Sequence, residues 1–105
     1  MEESKRMDVL YLLHGQHFVW NSDKASTNFT KHGIAFETAC QVFFDPLVCL
    51  QDASDEGEQR DAAIGLTEDW TLLFVVHVVR EEDVIRIVSA RLATAQERRT
   101  YEDCE

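Results

Sequence analysis

Positive charge is scarce in this sequence. Ten Lys and Arg stand against twenty Asp and Glu, a net charge of -10. Proteins that grip a phosphate backbone usually carry a basic patch, so chain-wide attraction to nucleic acid is excluded and any such contact needs a local cluster of cations. Cysteine is equally sparse: Cys40, Cys49 and Cys104 are odd in number and show no C-x-x-C spacing. That pattern argues for reduced thiols acting as small hydrophobes, and against both disulfides and a cysteine metal site. No apolar run approaches the roughly 18 to 20 residues a membrane helix needs, and the start Met1-Glu2-Glu3-Ser4-Lys5-Arg6 lacks an apolar leader core. A cytoplasmic protein with no membrane contact is expected. One proline and four glycines among 105 residues leave no room for a low-complexity linker, so a single domain spanning residues 1–105 is expected.

What is present is ordinary globular patterning. Val9 to Leu13 is nearly all apolar, His14-Gly15-Gln16 signals a turn, and His17 to Trp20 resumes the apolar pattern, which together predict a β-hairpin. Asn21 or Ser22 can cap a helix running to about Lys31, with Gly33 free to take positive φ at its end. Phe36, Ala39, Cys40 and Phe43 repeat at the spacing of one buried helical face until Asp45-Pro46 stops it. Four short β-rich runs follow: Leu47 to Gln51, Arg60 to Leu66, Thr71 to Val79 and Val84 to Ala90. Thr94-Ala95-Gln96-Glu97 is a capping box that opens a third helix toward Tyr101. The order β-β-α-α-β-β-β-β-α predicts an α+β domain with an antiparallel sheet of four to six strands, two helices in the N-terminal half and one at the C-terminus.

Acidic residues gather at Glu2 and Glu3, in Asp52 to Glu58, at Glu81 to Asp83 and at Glu102 to Glu105, all readable as turns or termini. A basic cluster of Lys31, Arg60, Arg86 and Arg91 can therefore exist inside an acidic envelope. RNA cleavage without a metal needs the ribose 2'-hydroxyl to lose a proton, the phosphorane charge to be stabilised and the leaving oxygen to gain a proton. Arginine's planar fork can hold two phosphate oxygens, which makes Arg60, Arg86 and Arg91 candidate clamps, with Lys31 beside them. His77 or His32 could exchange protons near neutral pH, with Lys31 as the alternative. Each has a structural reading too. His77 interrupts an apolar strand and could be a core histidine bonded to backbone. Lys31-His32-Gly33 is also what any well-capped helix end shows. Regular alternation puts Arg86 and Arg91 on opposite faces unless a bulge intervenes, and Arg91 could instead pair with Glu97 to anchor the third helix. Trp20 could cover the first helix or flank an RNA groove. His14, His17 and His32 lack the fixed spacing of metal ligands, so neither metal nor cofactor is expected.

Two separated clusters carry more than local physics. Trp20, Lys24, Asn28, Lys31-His32-Gly33 and Phe36 form the first, and Arg86, Ser89-Ala90-Arg91, Ala93 and Glu97 the second, with Arg60 and Gly65 between them. In this order and spacing they resemble the BrnT family of toxins from prokaryotic toxin-antitoxin pairs, over roughly residues 17 to 101. Against that family, residues 1–15 form an N-terminal extension expected to add a strand, and Ala35 departs from the polar residue often found before the helix-starting Phe. The resemblance implies a RelE-like fold and an endoribonuclease held inactive by a BrnA-like antitoxin, as a dimer or as a heterotetramer with it. A non-catalytic module of the same fold that binds the antitoxin but has lost RNA cleavage is the competing expectation, and the acidic balance favours it.

Overall fold

A computed structural model describes residues 7–54 and 56–104. Met1 to Arg6 of the N-terminal extension, with the acidic pair Glu2 and Glu3, and also Asp55 and Glu105, lie outside the described residues. The element order is β1 (Asp8–Leu13), β2 (Gln16–Asn21), α1 (Ser22–His32), α2 (Phe36–Ala39) running into a 3₁₀ turn (Cys40–Phe44), β3 (Cys49–Asp52), β4 (Asp61–Leu66), β5 (Leu72–Val79), β6 (Ile85–Leu92) and α3 (Ala95–Asp103). The strands form one six-stranded sheet in the order β1-β2-β6-β5-β4-β3. The fold is α+β, with a mixed rather than an all-antiparallel sheet. Four antiparallel strands, β3 to β6, are joined to the β1–β2 hairpin by a parallel contact, Phe18 opposite Ile85 and Val19 opposite Arg86. This pairing needs the long crossover that the intervening helices and strands provide.

Local signals explain each helix. Asn21 caps α1 by accepting from the Lys24 amide at 3.0 Å, and Gly33 ends it in the left-handed region at φ 74. The second helix departs from its expected form. It is α-helical for one turn only and then tightens into 3₁₀ geometry across Val42-Phe43-Phe44. There the turn closes on β4, where a Cβ on Gly65 would meet the Val42 carbonyl oxygen at 2.9 Å. Thr94 and Glu97 complete the capping box of α3.

Helices α1 and α2 cover one face of the sheet. The core there holds Phe18, Trp20, Phe36, Val42, Leu73, Val75 and Ile87, all buried. Trp20 lies edge-on to Phe36 and beside Tyr11, so it belongs to this core and not to the wall of a groove. On the other face α3 covers a smaller cluster of Cys49, Ile64 and Leu72, with Phe74, Ala93 and Tyr101 packed against it. Here the expectation about cysteine fails: Cys49 and Cys104 form a disulfide between β3 and the end of α3. Neither spacing nor parity reveals it, because 55 residues separate the two and only the return of α3 over β3 and β4 brings their Cα atoms to 5.9 Å. Cys40 is a buried thiol, and burial pushes its ionisation far out of reach. Among the described residues no helix is long and apolar enough to cross a membrane.

Candidate RNA-binding groove

One irregularity in β6 decides which side chains share a face. β5 and β6 pair antiparallel, with Val76 opposite Ser89 but His77 opposite Ile87, so Val88 is an extra residue bulged out of the ladder. Past the bulge the alternation is reset. Arg86 stands opposite Val78 and Arg91 opposite Phe74, and both therefore project from the α3 side of the sheet. Strict alternation had separated them.

They do not, however, do the same thing. Arg91 donates to both carboxylate oxygens of Glu97 at 2.9 Å each, and its guanidinium lies over the Phe74 ring, 4.4 Å from the centroid. Bidentate pairing and stacking occupy the fork on both its edge and its face. The Arg91 hydrogen bond holds the Glu97 carboxyl below the usual carboxylate range, and Glu97 also caps α3. Arg91 thus anchors the third helix.

Arg86 instead lines a groove of about 460 Å³ on the part of the sheet that α3 leaves uncovered. Its Nη2 donates to Asp8 Oδ2 of β1 at 3.0 Å, while Nε is buried and has no hydrogen-bond partner among the described residues. Arg60, immediately before β4, enters the same groove and pairs with Glu58. Lys24 from the first turn of α1 and Arg80 from the end of β5 complete the cationic lining, over a floor of Val78 and Val88. A shallower depression of about 300 Å³ adjoins it, sharing Lys24 and Val88, and carries Lys31 on its rim. Arg80 was missed in the sequence. Its parity with Val78 and Phe74 was the available signal, but it sits one residue past the strand in a turn of acidic residues.

The histidines stay outside this groove. His77 faces the α1 and α2 side, 3% exposed, with Nδ1 3.3 Å from the Val75 carbonyl and its ring edge-on to Phe43. Burial pushes its pKa below the ordinary value, against the opposing pull of the Val75 carbonyl and Asp61. The expectation that His77 shares a site with Arg60 and Arg86 is corrected on geometry: the sheet lies between them. The interruption in the apolar strand is a hydrogen-bonded core histidine. His32 is exposed in the last turn of α1 and lines neither depression.

Asn28 shows how the groove's α1 wall is fixed. Its side-chain amide is buried; Nδ2 donates to the Ala90 carbonyl at 2.9 Å and to the Ile34 carbonyl at 3.1 Å, while Oδ1 accepts from the Ala90 amide at 3.1 Å. Beyond the short pairing with β2, the edge of β6 is thus closed by a side chain imitating a strand. This fastens α1, with Lys24 and Lys31, against the bulged strand that carries Arg86.

Together these side chains can bind polyanions. Among the described residues four cations, Lys24, Arg60, Arg80 and Arg86, converge on a concave surface, where low-dielectric walls strengthen their field despite the acidic total. The neighbouring carboxylates Asp8 and Glu58 occupy two of the forks. Residues 20–97 match the family model described as the ribonuclease toxin, BrnT, of type II toxin-antitoxin systems. No curated protein matches the chain.

Proposed function

Because the chain belongs to the BrnT family of ribonuclease toxins of type II toxin-antitoxin systems, we propose that its arginine groove binds and cuts RNA without a metal. The observation that carries this reading is the convergence of Arg60, Arg80, Arg86 and Lys24 on one groove. In the proposed reaction the RNA supplies its own nucleophile. The 2'-oxygen loses its proton and attacks the adjacent phosphorus, the bond to the 5'-oxygen breaks, and that oxygen takes up a proton, leaving a cyclic phosphate and a 5'-hydroxyl. Arg60 and Arg86 hold the non-bridging oxygens and stabilise the phosphorane charge. Lys24, beside the clamps, and Lys31, on the rim of the adjoining depression, bind the flanking phosphates. His77 and Arg91 take no part, the first because it faces the other side of the sheet, the second because Glu97 holds it. Among the described residues two carboxylates, Asp8 and Glu58, line the groove and both pair with arginines, a composition suited to phosphate and not to a divalent cation.

The same reading includes a RelE-like fold, a single cytoplasmic domain and neutralisation by a BrnA-like antitoxin. Purified protein incubated with a defined RNA tests it: cyclic-phosphate ends should appear in the presence of a chelator and vanish with Arg86→Ala.

A second reading has its own observation. Glu58 and Asp8 already pair with Arg60 and Arg86, and the net charge of -10 repels RNA at long range. A module that has kept the antitoxin and lost cleavage would behave so. RNA binding that is absent even at low salt, beside tight antitoxin binding, would favour it.

A further inference from the structure

Away from the arginine groove, the turn between β4 and β5 holds a residue in a conformation its type disfavours. Trp70 has φ 67, the left-handed region where glycine or asparagine is usual, and it is 80% exposed. The turn is secured around it. The Trp70 amide donates to the Thr67 carbonyl at 3.0 Å, the Thr67 amide to the Thr71 carbonyl at 2.9 Å, and Asp69 accepts from both threonine hydroxyls. This is the three-residue hairpin loop whose last position normally takes glycine. Its hydrogen bonds would form as well around glycine, so neither burial nor turn geometry accounts for tryptophan.

The indole stands on the rim of a groove of about 240 Å³ that shares no lining residue with the arginine groove. Phe44 and Pro46 give it an apolar lining, and Phe44 is steadied by His14, edge-on at 4.9 Å. Among the described residues, its charged lining is Asp45 and Glu68, and neither Lys nor Arg lines it. Asp45 is committed to Tyr101 and to the Leu47 and Leu66 amides, which leaves Glu68, exposed beside Trp70 and next to exposed Asp69. An apolar lining, an exposed indole and acidic neighbours without a cation exclude a phosphate backbone. They fit a peptide segment that offers an apolar side chain flanked by lysine or arginine.

We propose that Trp70 is the anchor by which a cationic, amphipathic segment of the antitoxin docks on this groove, outside the site it silences. This rests on the family reading that an antitoxin exists. A protein partner of opposite charge would also be steered to a chain of net charge -10. Tryptophan is among the residue types that dominate the binding energy of such interfaces.

The left-handed backbone supplies a clean test. Trp70→Gly and Trp70→Asn relieve the turn, so both variants should fold with a melting temperature equal to or above that of the parent. Each should bind the purified product of the adjoining antitoxin gene about 30-fold more weakly, the size of a hot-spot loss. Glu68→Lys should weaken binding chiefly at low salt. Because Trp20 is buried and Trp70 exposed, binding should shift the parent's fluorescence to the blue and leave Trp70→Gly unshifted. Unchanged antitoxin affinity in both Trp70 variants overturns the docking site and leaves the family reading standing. A parent chain that binds no antitoxin overturns both. Loss of RNA binding, or of self-association, with antitoxin affinity intact assigns the surface to RNA or to a second copy and overturns the proposal.

Discussion

Arg86 on β6 and Asp8 on β1 face each other across the arginine groove, Nη2 to Oδ2 at 3.0 Å, and Asp8 lies outside the span that matches the family. A carboxylate there occupies the position that a phosphate oxygen needs. Asp8→Asn keeps the shape and removes the competing charge, so RNA affinity should rise by up to roughly fivefold at low salt, an exposed pair being worth up to about 1 kcal/mol. Filter binding across a salt series checks this; equal affinity in both proteins would show that Asp8 does not shield Arg86.

Asn28 replaces a strand partner for β6, bonding both the amide and the carbonyl of Ala90. Asn28→Ala leaves these buried groups without partners and should cost about 2–4 kcal/mol in urea denaturation. RNA cleavage should fall with it, since α1 loses its seat.

The Arg91–Glu97 pair should make stability depend on acid. Glu97 has its carboxyl lowered beneath the ordinary 4.5, first by the Arg91 hydrogen bond. Its contribution is therefore complete above that value and is lost as pH falls through the lower folded value. Between pH 6 and pH 3 the parent should lose about 1–2 kcal/mol more than Glu97→Gln, discounted for partial exposure. Parallel denaturation curves at the two pH values would contradict this.

At high pH a second contact gives way. The Tyr101 hydroxyl donates to Asp45 Oδ2 at 2.6 Å, and burial together with that carboxylate pushes its pKa up to about 12. Stability from this contact is present below the unfolded tyrosine value near 10 and is lost as pH rises toward the folded one. Tyr101→Phe should be less stable at pH 7 and should close part of that gap by pH 11.

Cys104 holds the end of α3 to β3. Closing a loop of this length removes unfolded-chain entropy worth at most about 4 kcal/mol, so reduction or Cys104→Ser should lower stability by a substantial part of that. Chemical denaturation with and without dithiothreitol measures it. Cys40 is buried and should leave the result unchanged when replaced by alanine or serine tested under both conditions.

Much of the frame was legible because local rules and tertiary structure agreed. The first hairpin, the Asn21 cap, the Gly33 stop and the Thr94–Glu97 box all formed where residue types predicted them. What escaped depends on long-range geometry. The bulge at Val88 has no sequence mark, since Val88 is an ordinary β-branched residue, yet it returns Arg86 and Arg91 to one face. The parallel join of β2 to β6 and the Cys49–Cys104 disulfide link segments whose order along the chain says nothing of their pairing. At the site, Arg60 and Arg86 line one groove as a basic cluster requires, whereas Arg91, expected as a third clamp, takes the alternative role of pairing with Glu97. His77 was misplaced because one apolar strand reads the same from either face, and only packing against Phe43 tells which side the imidazole takes.

The measurement that bears most directly on the central claim is RNA cleavage by Arg60→Ala and Arg86→Ala, with thermal stability and antitoxin affinity recorded on the same preparations. The arginine groove predicts that each substitution lowers the cleavage rate by about a hundredfold or more, the scale of losing one stabiliser of transition-state charge, while folding and antitoxin binding persist. Cleavage within about twofold of the parent in both variants, at unchanged stability, would contradict it.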